Sequence, residues 1–583
     1  MSRDDPLPAK RLAGLETEYA IRFTPAHEGA ELPRNALIYT VLMRAVNVRV
    51  KMVGKKPLKE VVEGTSDGRV FVENGGAFNY EVLSKAPGGG LLEGATPECR
   101  TAGQLVLYQA AQDRLLEEAL PRAEQMLAFR GYEGSIGLLK NCRDGFDHLY
   151  GAQENYEVDV ATGWRFLLFR VAFVLLVPWI VVWGIGAWLL LVAWLLVFFL
   201  IAIPTLLVVA LLLSWTGRLE TTAPWIAELF SGTAPFVRGR ESKRWHRVLY
   251  LVEVGVTEAA VLPLGWLAHA LFFAPLRRRA LAFFASRAVF TGAGSVRPDG
   301  TFHLSEKALG VSRIVRRSVW PDARGIFEAS ALLKSPGKLI RFDLRGFTRA
   351  FRKRQRVQVG LSDSNLAQTA ELLKVGTARV VLDLLDAGAL DDAPRLADPI
   401  AAMHAITSDP TLKTAVRLKN GDTMTALEIQ RFYLARAEEH AAASSVADLE
   451  TNEILRLWGE ALDALETHPG TLVGRVDWVT KRFLLERHED ATVRKKVDLK
   501  YHELVDGYFR RLEAEGVAPR VTAPDDVERA MRNPPDDTPA FVRSRWIRRL
   551  SDATAPVEVD WDSIRIGGRV RGRVVRLVDP PEE

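Results

Sequence analysis

Glu16 and Glu18 lie two residues apart in an apolar, β-prone run, 12–23. Side chains alternate along a strand, so the two carboxylates share a face. Two like charges side by side on one sheet face repel each other. A divalent cation with oxygen ligands is the simplest offset; an exposed edge strand with two solvated glutamates carries the same pattern. More carboxylates recur in strand-like settings. Glu81 closes the run Phe78-Asn79-Tyr80, Glu93 and Glu98 flank Gly94-Ala95-Thr96-Pro97, and Glu154 stands in Gln153-Glu154-Asn155-Tyr156. Taken singly, each reads as a solvated surface residue. Several converging on one sheet face would make a magnesium site, because Mg2+ takes a few carboxylates and keeps positions for phosphate oxygens. Other chemistries lack their signatures. The chain has no zinc motif and no Gly-x-Ser-x-Gly elbow, and Gly88-Gly89-Gly90 is not followed by the Gly-Lys-Ser/Thr of a phosphate loop.

The elements that must position these groups alternate β-like runs with helices. Residues 10–160 hold the runs 12–23, 69–82 and 134–141 and one clear helix, 104–130. After an apolar middle block, 287–358 reads as strands and turns, with turn signals at Gly292-Ala293-Gly294 and Pro298-Asp299-Gly300. Helices then dominate at 365–385, capped by Asp363 or Ser364, and at 425–443 and 452–466. A mixed segment, 497–578, ends in the strand-like Val557-Glu558-Val559-Asp560-Trp561 and a basic strand near 569–577. This order reads as α+β, with a small C-terminal module.

At 583 residues the chain exceeds what one core usually supports. Its net charge of +5 is too small to argue for nucleic-acid binding, and two cysteines fit a reducing compartment. The polar N-terminus carries no secretory signal. The average hides a local extreme: 171–217 contains no charged residue. A span needs about 20 apolar residues, so this block fits a transmembrane hairpin over about 166–215. Gly184-Ile185-Gly186 is the expected turn, with tryptophans 164, 179, 183, 188 and 215 near ends or turn. Arg165 and Arg170 before the block, and a cluster from Arg218 to Arg247 after it, place both ends on the cytoplasmic side. The apolar stretch 248–276, which carries Glu253, Glu258 and His269, reads as interfacial or re-entrant; the alternative makes 171–217 one span and 248–276 the return.

Several motifs resemble the Pup ligase and depupylase family, the proteasome accessory factor A group of glutamine-synthetase-like carboxylate–amine ligases. They are Gly14-Leu15-Glu16-Thr17-Glu18-Tyr19, Glu93-Gly94-Ala95-Thr96-Pro97-Glu98-Cys99, Lys140-Asn141-Cys142-Arg143-Asp144, and Tyr150-Gly151 with Glu154-Asn155-Tyr156. Further along come Thr291-Gly292-Ala293-Gly294, Asp363-Ser364-Asn365, Glu428-Ile429-Gln430-Arg431, Val476-Asp477-Trp478-Val479 and Val559-Asp560-Trp561. Each is weak alone; their order and spacing are specific. The resemblance spares about 160–280. It implies a glutamine-synthetase-like antiparallel sheet cradle over 10–160 and 281–490. The membrane insertion would occupy 161–280, and the small C-terminal domain 491–583.

The resemblance also implies a reaction. ATP phosphorylates a γ-carboxylate on a protein tail or small protein modifier, and the amine of a lysine-bearing protein attacks the acyl phosphate to form an isopeptide. ATP and Mg2+ are the implied cofactors, and nucleic acid is not a partner. Glu16 and Glu93 would hold magnesium, with Glu18 on the same strand face and Glu154 joining them. Thr96 and Trp561 would contact the nucleotide, Trp561 by stacking, and Arg356 a phosphate. The family strand Asn-Gly-Ala-Arg-Leu-Tyr-Leu-Asp ends in the catalytic aspartate. Here Asn74-Gly75-Gly76-Ala77-Phe78-Asn79-Tyr80-Glu81 stands in its place. The base becomes Glu81, the nucleotide-binding arginine becomes Ala77, the metal-proximal tyrosine becomes Asn79, and a histidine before Glu154 becomes Gln153. The expectation is a membrane-anchored ligase with its catalytic domain on the cytoplasmic side. A depupylase-like isopeptide hydrolase, favoured by the long stretch 49–69, and a non-catalytic nucleotide-binding member are the alternatives.

Overall fold

The computed structural model describes residues 11–54, 68–82, 89–140, 142–144, 148–197, 200–201, 203–215, 255, 258–297, 299–316, 324–340, 344–443, 448–553, 557–567 and 572–577. The long stretch 49–69 lies largely outside these, and the basic cluster from Arg218 to Arg247 wholly so.

The N-terminal half supplies β1 (Ala13–Pro25), α1 (Asn35–Arg49), β2 (Met52–Gly54), β3 (Val70–Val72), β4 (Ala77–Val82), β5 (Gly90–Ala95), α2 (Ala102–Ala128), β6 (Gly134–Leu139) and β7 (Ala152–Asp159). A short hairpin follows later, β8 (Ser295–Val296) and β9 (Phe302–His303), then β10 (Arg313–Arg316), β11 (Gly325–Glu328) and β12 (Arg354–Ser362). One sheet runs β10-β11-β12-β7-β1-β5-β4-β3-β2, with β6 also paired to β1. Its pairs are antiparallel except β10–β11, which is parallel. The architecture is α+β, with a mixed sheet where a wholly antiparallel one was expected.

Period-two alternation gives this sheet one apolar and one polar face. Thr17 and Tyr19 on β1 turn to α2. The Tyr19 hydroxyl donates to Asp113 Oδ1 at 2.6 Å and accepts from Gln109 and Gln112 at 2.9 Å, and Thr17 donates to Gln109 Oε1. Burial and the Asp113 carboxylate push the Tyr19 hydroxyl's pKa up, so it remains the donor. The helix predicted over 365–385 forms at Gln368–Asp386. Neither Asp363 nor Ser364 caps it. The N-cap is Ala367, and the Asp363 carboxylate accepts from Ala293 N and Lys307 N instead. The span 330–348, read as strands and turns, is largely helical, at Ser330–Leu333, Ser335–Ile340 and Leu344–Thr348. The strands Val557–Val559, Ser563–Ile566 and Arg573–Arg576 form a separate three-stranded sheet near the C-terminus.

The tight hairpin expected in the apolar block does not form at Gly184-Ile185-Gly186. Instead α3 (Gly163–Val197) runs unbroken for 35 residues, and α4 (Ile203–Trp215) follows. An isolated glycine costs a helix only about 1 kcal/mol. No Asn, Asp or Ser there offers the freed backbone groups another partner, so the helical bonds persist. Trp179 and Trp183 accordingly lie in mid-helix, ring to ring at 5.6 Å, not at a turn. Among the described residues one helix, Gly163–Gly186, is long and apolar enough to cross a membrane, or two if the pair Glu258–Phe272 and Leu276–Ser286, bent by 62°, counts as one span. The root of α3 docks on the body. Phe166, Phe169, Phe173 and Ile180 are buried, with Phe169 4.9 Å from Phe272 and Phe173 stacked 5.0 Å from Phe351. Many of its other described side chains are apolar and open, with Leu175 72% and Leu190 66% exposed.

Candidate active site

Strand register assembles the acidic residues. Glu18 faces Glu93 across β1–β5, Glu93 faces Asn79 across β5–β4, Glu81 pairs with Leu91, and Glu16 pairs with Ala95 on one side and Gln153 on the other. Cross-strand partners share a face. Glu16, Glu18, Glu93 and Glu81 therefore stand together on the polar face, with Gln153 and Asn155 of β7 and Arg356 and Gln358 of β12 beside them.

The protein supplies much of the counter-charge itself. Lys307 Nζ donates to both Glu18 oxygens, at 2.9 and 3.1 Å, and Gly151 N–H donates to Glu18 Oε2 at 2.8 Å. A Cβ on Gly151 would lie 2.5 Å from Ser362 O and 2.9 Å from Lys307 Cδ. Glycine in the Tyr150-Gly151 motif thus leaves the room through which Lys307 reaches Glu18. Arg356 Nη2 donates to Glu16 Oε1 at 2.9 Å, and Gln358 Nε2 to Glu16 Oε2 at 3.0 Å.

The other two carboxylates carry a charge deficit. Burial, then the Glu18 charge, lifts Glu81 from the ordinary 4.5 to about 7, with Lys307 pulling the other way. Burial, then Glu16, Glu81 and Glu18, lifts Glu93 to about 8. Among the described residues no three His, Cys, Asp or Glu side chains already close on one ion, since Glu16 and Glu18 are turned to their cations. Even so, an acidic cluster that holds Glu81 and Glu93 above the ordinary carboxylate range suits a hard cation that takes one or two carboxylates and keeps waters.

Glu154 does not join this cluster. It pairs with Leu15, one position out of phase with Glu16, and so points to the opposite face. There it is 1% exposed and bonded to Arg287, itself 0% exposed; Arg287 Nη1 donates at 2.9 Å and Ser362 and Tyr156 also donate. Burial alone would raise its pKa, but Arg287 overcomes that and lowers it. Thr96 is buried, and its hydroxyl accepts from Leu15 N at 3.0 Å, tying the end of β5 to β1.

Trp561 is brought to the same end of the sheet. The C-terminal sheet and the helix Pro539–Leu550 pack on Phe71, Ala77 and Ala95. The Trp561 ring meets Phe71 edge-on at 5.1 Å, and the Arg543 guanidinium lies 4.7 Å from the Trp561 ring centre. Arg543 is buried and donates to Gly75 O, Trp561 O and both Glu98 oxygens. Ala77, where the resemblance expects an arginine, is buried in this apolar cluster. Lys307 and Arg543 were missed in the sequence, because nothing local sets either apart from its charged neighbours. Lys307 follows Glu306 in Leu304-Ser305-Glu306-Lys307, and Arg543 is one of many arginines in its helix.

Comparison with known proteins adds to this geometry. The model of the family described as Pup-ligase protein matches residues 11–565. The chain belongs to that family. It is 28% identical to the Pup–protein ligase of Acidimicrobium ferrooxidans, over 98% of this chain and 96% of that one. It is 26% identical to the Pup–protein ligase of Nocardia farcinica, over the same shares. Among solved structures it resembles the ligase PafA in complex with Pup, with a TM-score of 0.64 at 21% identity over 98% of this chain and 90% of that one. It also resembles PafA in complex with ADP, with a TM-score of 0.58 at 21% identity, covering 96% and 94%. These two likenesses establish the fold.

Proposed function

We propose that this chain is an ATP- and Mg2+-dependent ligase that joins a carboxylate of a small protein modifier of the Pup type to a lysine amine of a second protein. The observation that carries this reading is the convergence of Glu16, Glu18, Glu93 and Glu81 on one sheet face, where burial and the neighbouring carboxylates raise the proton affinity of Glu81 and Glu93. Family membership and relatives named Pup–protein ligase support it.

Glu16 and Glu93 would hold Mg2+, which when bound draws the nucleotide phosphates to the cluster and neutralises charge that develops in transfer. Lys307 holds both Glu18 oxygens and fixes that side chain beneath it. Arg356 stands at the rim beside Glu16 with half of its side chain open, suited to an incoming phosphate. Trp561, backed by Arg543, offers a ring for the base. Phosphoryl transfer makes the modifier's carboxylate an acyl phosphate; the amine then forms the amide and phosphate leaves. Glu81, poised near neutrality, accepts the proton that the attacking amine must shed. The sealed seat at Ala77 favours a second reading, a member that binds nucleotide without turning it over.

The apolar, open surface of α3 supports attachment to a bilayer, with the catalytic cradle on the cytoplasmic side. Monomeric soluble proteins rarely expose a contiguous apolar surface of this extent.

Purified protein with ATP and Mg2+ tests the reading. ADP release that requires both carboxylate and amine substrates is the expected result. Cleavage of an isopeptide conjugate without ADP would establish the hydrolase instead, and nucleotide binding with neither reaction the non-catalytic member. Deleting 163–215 should release the chain from membranes; continued sedimentation with them would refute the attachment through α3.

A further inference from the structure

The root of α3 opens into a cleft whose charge is mostly of one sign. One lobe, of about 500 Å³, is lined by Trp164, Arg165, Arg278, Arg279, Asp391 and Arg395, with others. A second lobe, also about 500 Å³, shares Arg278 and Arg395 and adds Arg277 and Lys419. Asp391 is taken by Arg279. Among the described residues no carboxylate pairs with Arg165, Arg278 or Arg395. The charge of Arg165, then burial, Arg395 and Arg279, presses the Arg278 guanidinium's pKa below its ordinary value. Cations gathered against their own repulsion, without a carboxylate to match, are relieved by an anion.

The cleft's surroundings narrow the choice of anion. Gly163 on its wall begins α3, just after Thr162, and the helix's first N–H groups favour negative charge. From the same wall the helix climbs with Leu167, Leu168, Val171, Val174 and Leu175 open to the outside, and Trp164 is 67% exposed at the mouth. A compact anion in the cleft would thus continue into a long apolar surface, with an amphipathic ring at the boundary. Guanidinium forks match phosphate oxygens, and tryptophan favours the headgroup level of a bilayer. A free anion leaves that apolar surface unused.

We propose that this cleft seats the phosphate headgroup of an anionic phospholipid, whose acyl chains lie along the open face of α3. The inference rests on the membrane reading of α3 given above. It would fix the body against an anionic leaflet through Arg165, Arg278 and Arg395, which are separate from the carboxylates of the cradle.

The test uses the full chain in neutral detergent, titrated calorimetrically with short-chain phosphatidylglycerol, short-chain phosphatidylcholine and inorganic phosphate. Phosphatidylglycerol should bind at least tenfold more tightly than either other probe. The triple variant Arg165→Gln/Arg278→Gln/Arg395→Gln should lose that preference, while the three lysine substitutions retain most of it; a control of thermal melting should be unchanged in both. Equal affinity for the two lipids, or a glutamine variant that keeps the preference, overturns the proposal. Inorganic phosphate binding as tightly as phosphatidylglycerol overturns it in favour of a free anion. A headgroup preference is read without a bilayer, so its failure differs from failure of the membrane reading, which the α3 deletion detects.

Discussion

Glu16 and Glu154 pair with neighbouring positions across the same two strands, β1 and β7, yet they meet opposite environments. On the polar face Glu16 shares space with three other carboxylates, the half-open Arg356 and the buried Lys307. On the core face Glu154 is sealed against one buried guanidinium with all its oxygens bonded. A shift of one residue along a strand decides between them, because it reverses the face. The difference teaches that a carboxylate motif on a sheet carries two jobs. One set is left short of positive charge and is available for a cation or proton. The other is fully matched and holds strands β7 and β12 to the helical layer.

The sharpest way to break this comparison is to remove one carboxylate from each face. Glu81→Gln should lower ligase turnover by roughly 10²- to 10⁴-fold, the range for a positioned acid–base group, with the melting temperature unchanged or raised. An active Glu81→Gln enzyme would remove Glu81 from the role of base. Glu154→Gln should leave Arg287 buried without its counter-charge and destabilise the fold by about 3–5 kcal/mol, seen as a lower midpoint in urea. A fully stable variant would mean that the core face tolerates an unmatched charge as the polar face does.

Lys307→Met tests the boundary between the two sets. It should destabilise the metal-free protein by about 1–3 kcal/mol, because Glu18 loses its charged partner. Saturating Mg2+ should restore part of that loss, and denaturation with and without Mg2+ measures it.

The smallest expected effect is in pH. The folded pKa values of Glu81 and Glu93, about 7 and about 8, stand above their ordinary 4.5. The folded state therefore binds more protons than the unfolded state. Their contribution to metal-free stability is full below about pH 4.5 and is lost as pH rises through 7 and 8. Glu93→Gln should flatten that decline in melting temperature. A decline of the same slope in the variant would show that other groups cause it.

Much of the cradle was legible from local pattern. The run 12–23 emerged as β1, and the helix expected at 104–130 as Ala102–Ala128. Same-face placement of Glu16 and Glu18 followed from period two alone. Glu154 was misassigned because a motif names neighbours along the chain, whereas register between β1 and β7 sets the face it shares with Glu16. The turn expected at Gly184-Ile185-Gly186 does not form, because two glycines without polar turn residues do not outweigh continuous helical bonds.

The sequence by itself determined the alternation that puts two glutamates side by side, and the uncharged block that builds an apolar helix, because both are local periodicities of a few residues. Only the tertiary structure decided which charges answer them. Lys307 reaches Glu18 from 289 residues away, Arg356 reaches Glu16 from 340, and Arg543 clamps Gly75 from 468. Such pairings depend on how strands are ordered and how the C-terminal sheet docks. They arise from packing of the whole chain, and no spacing within a motif encodes them.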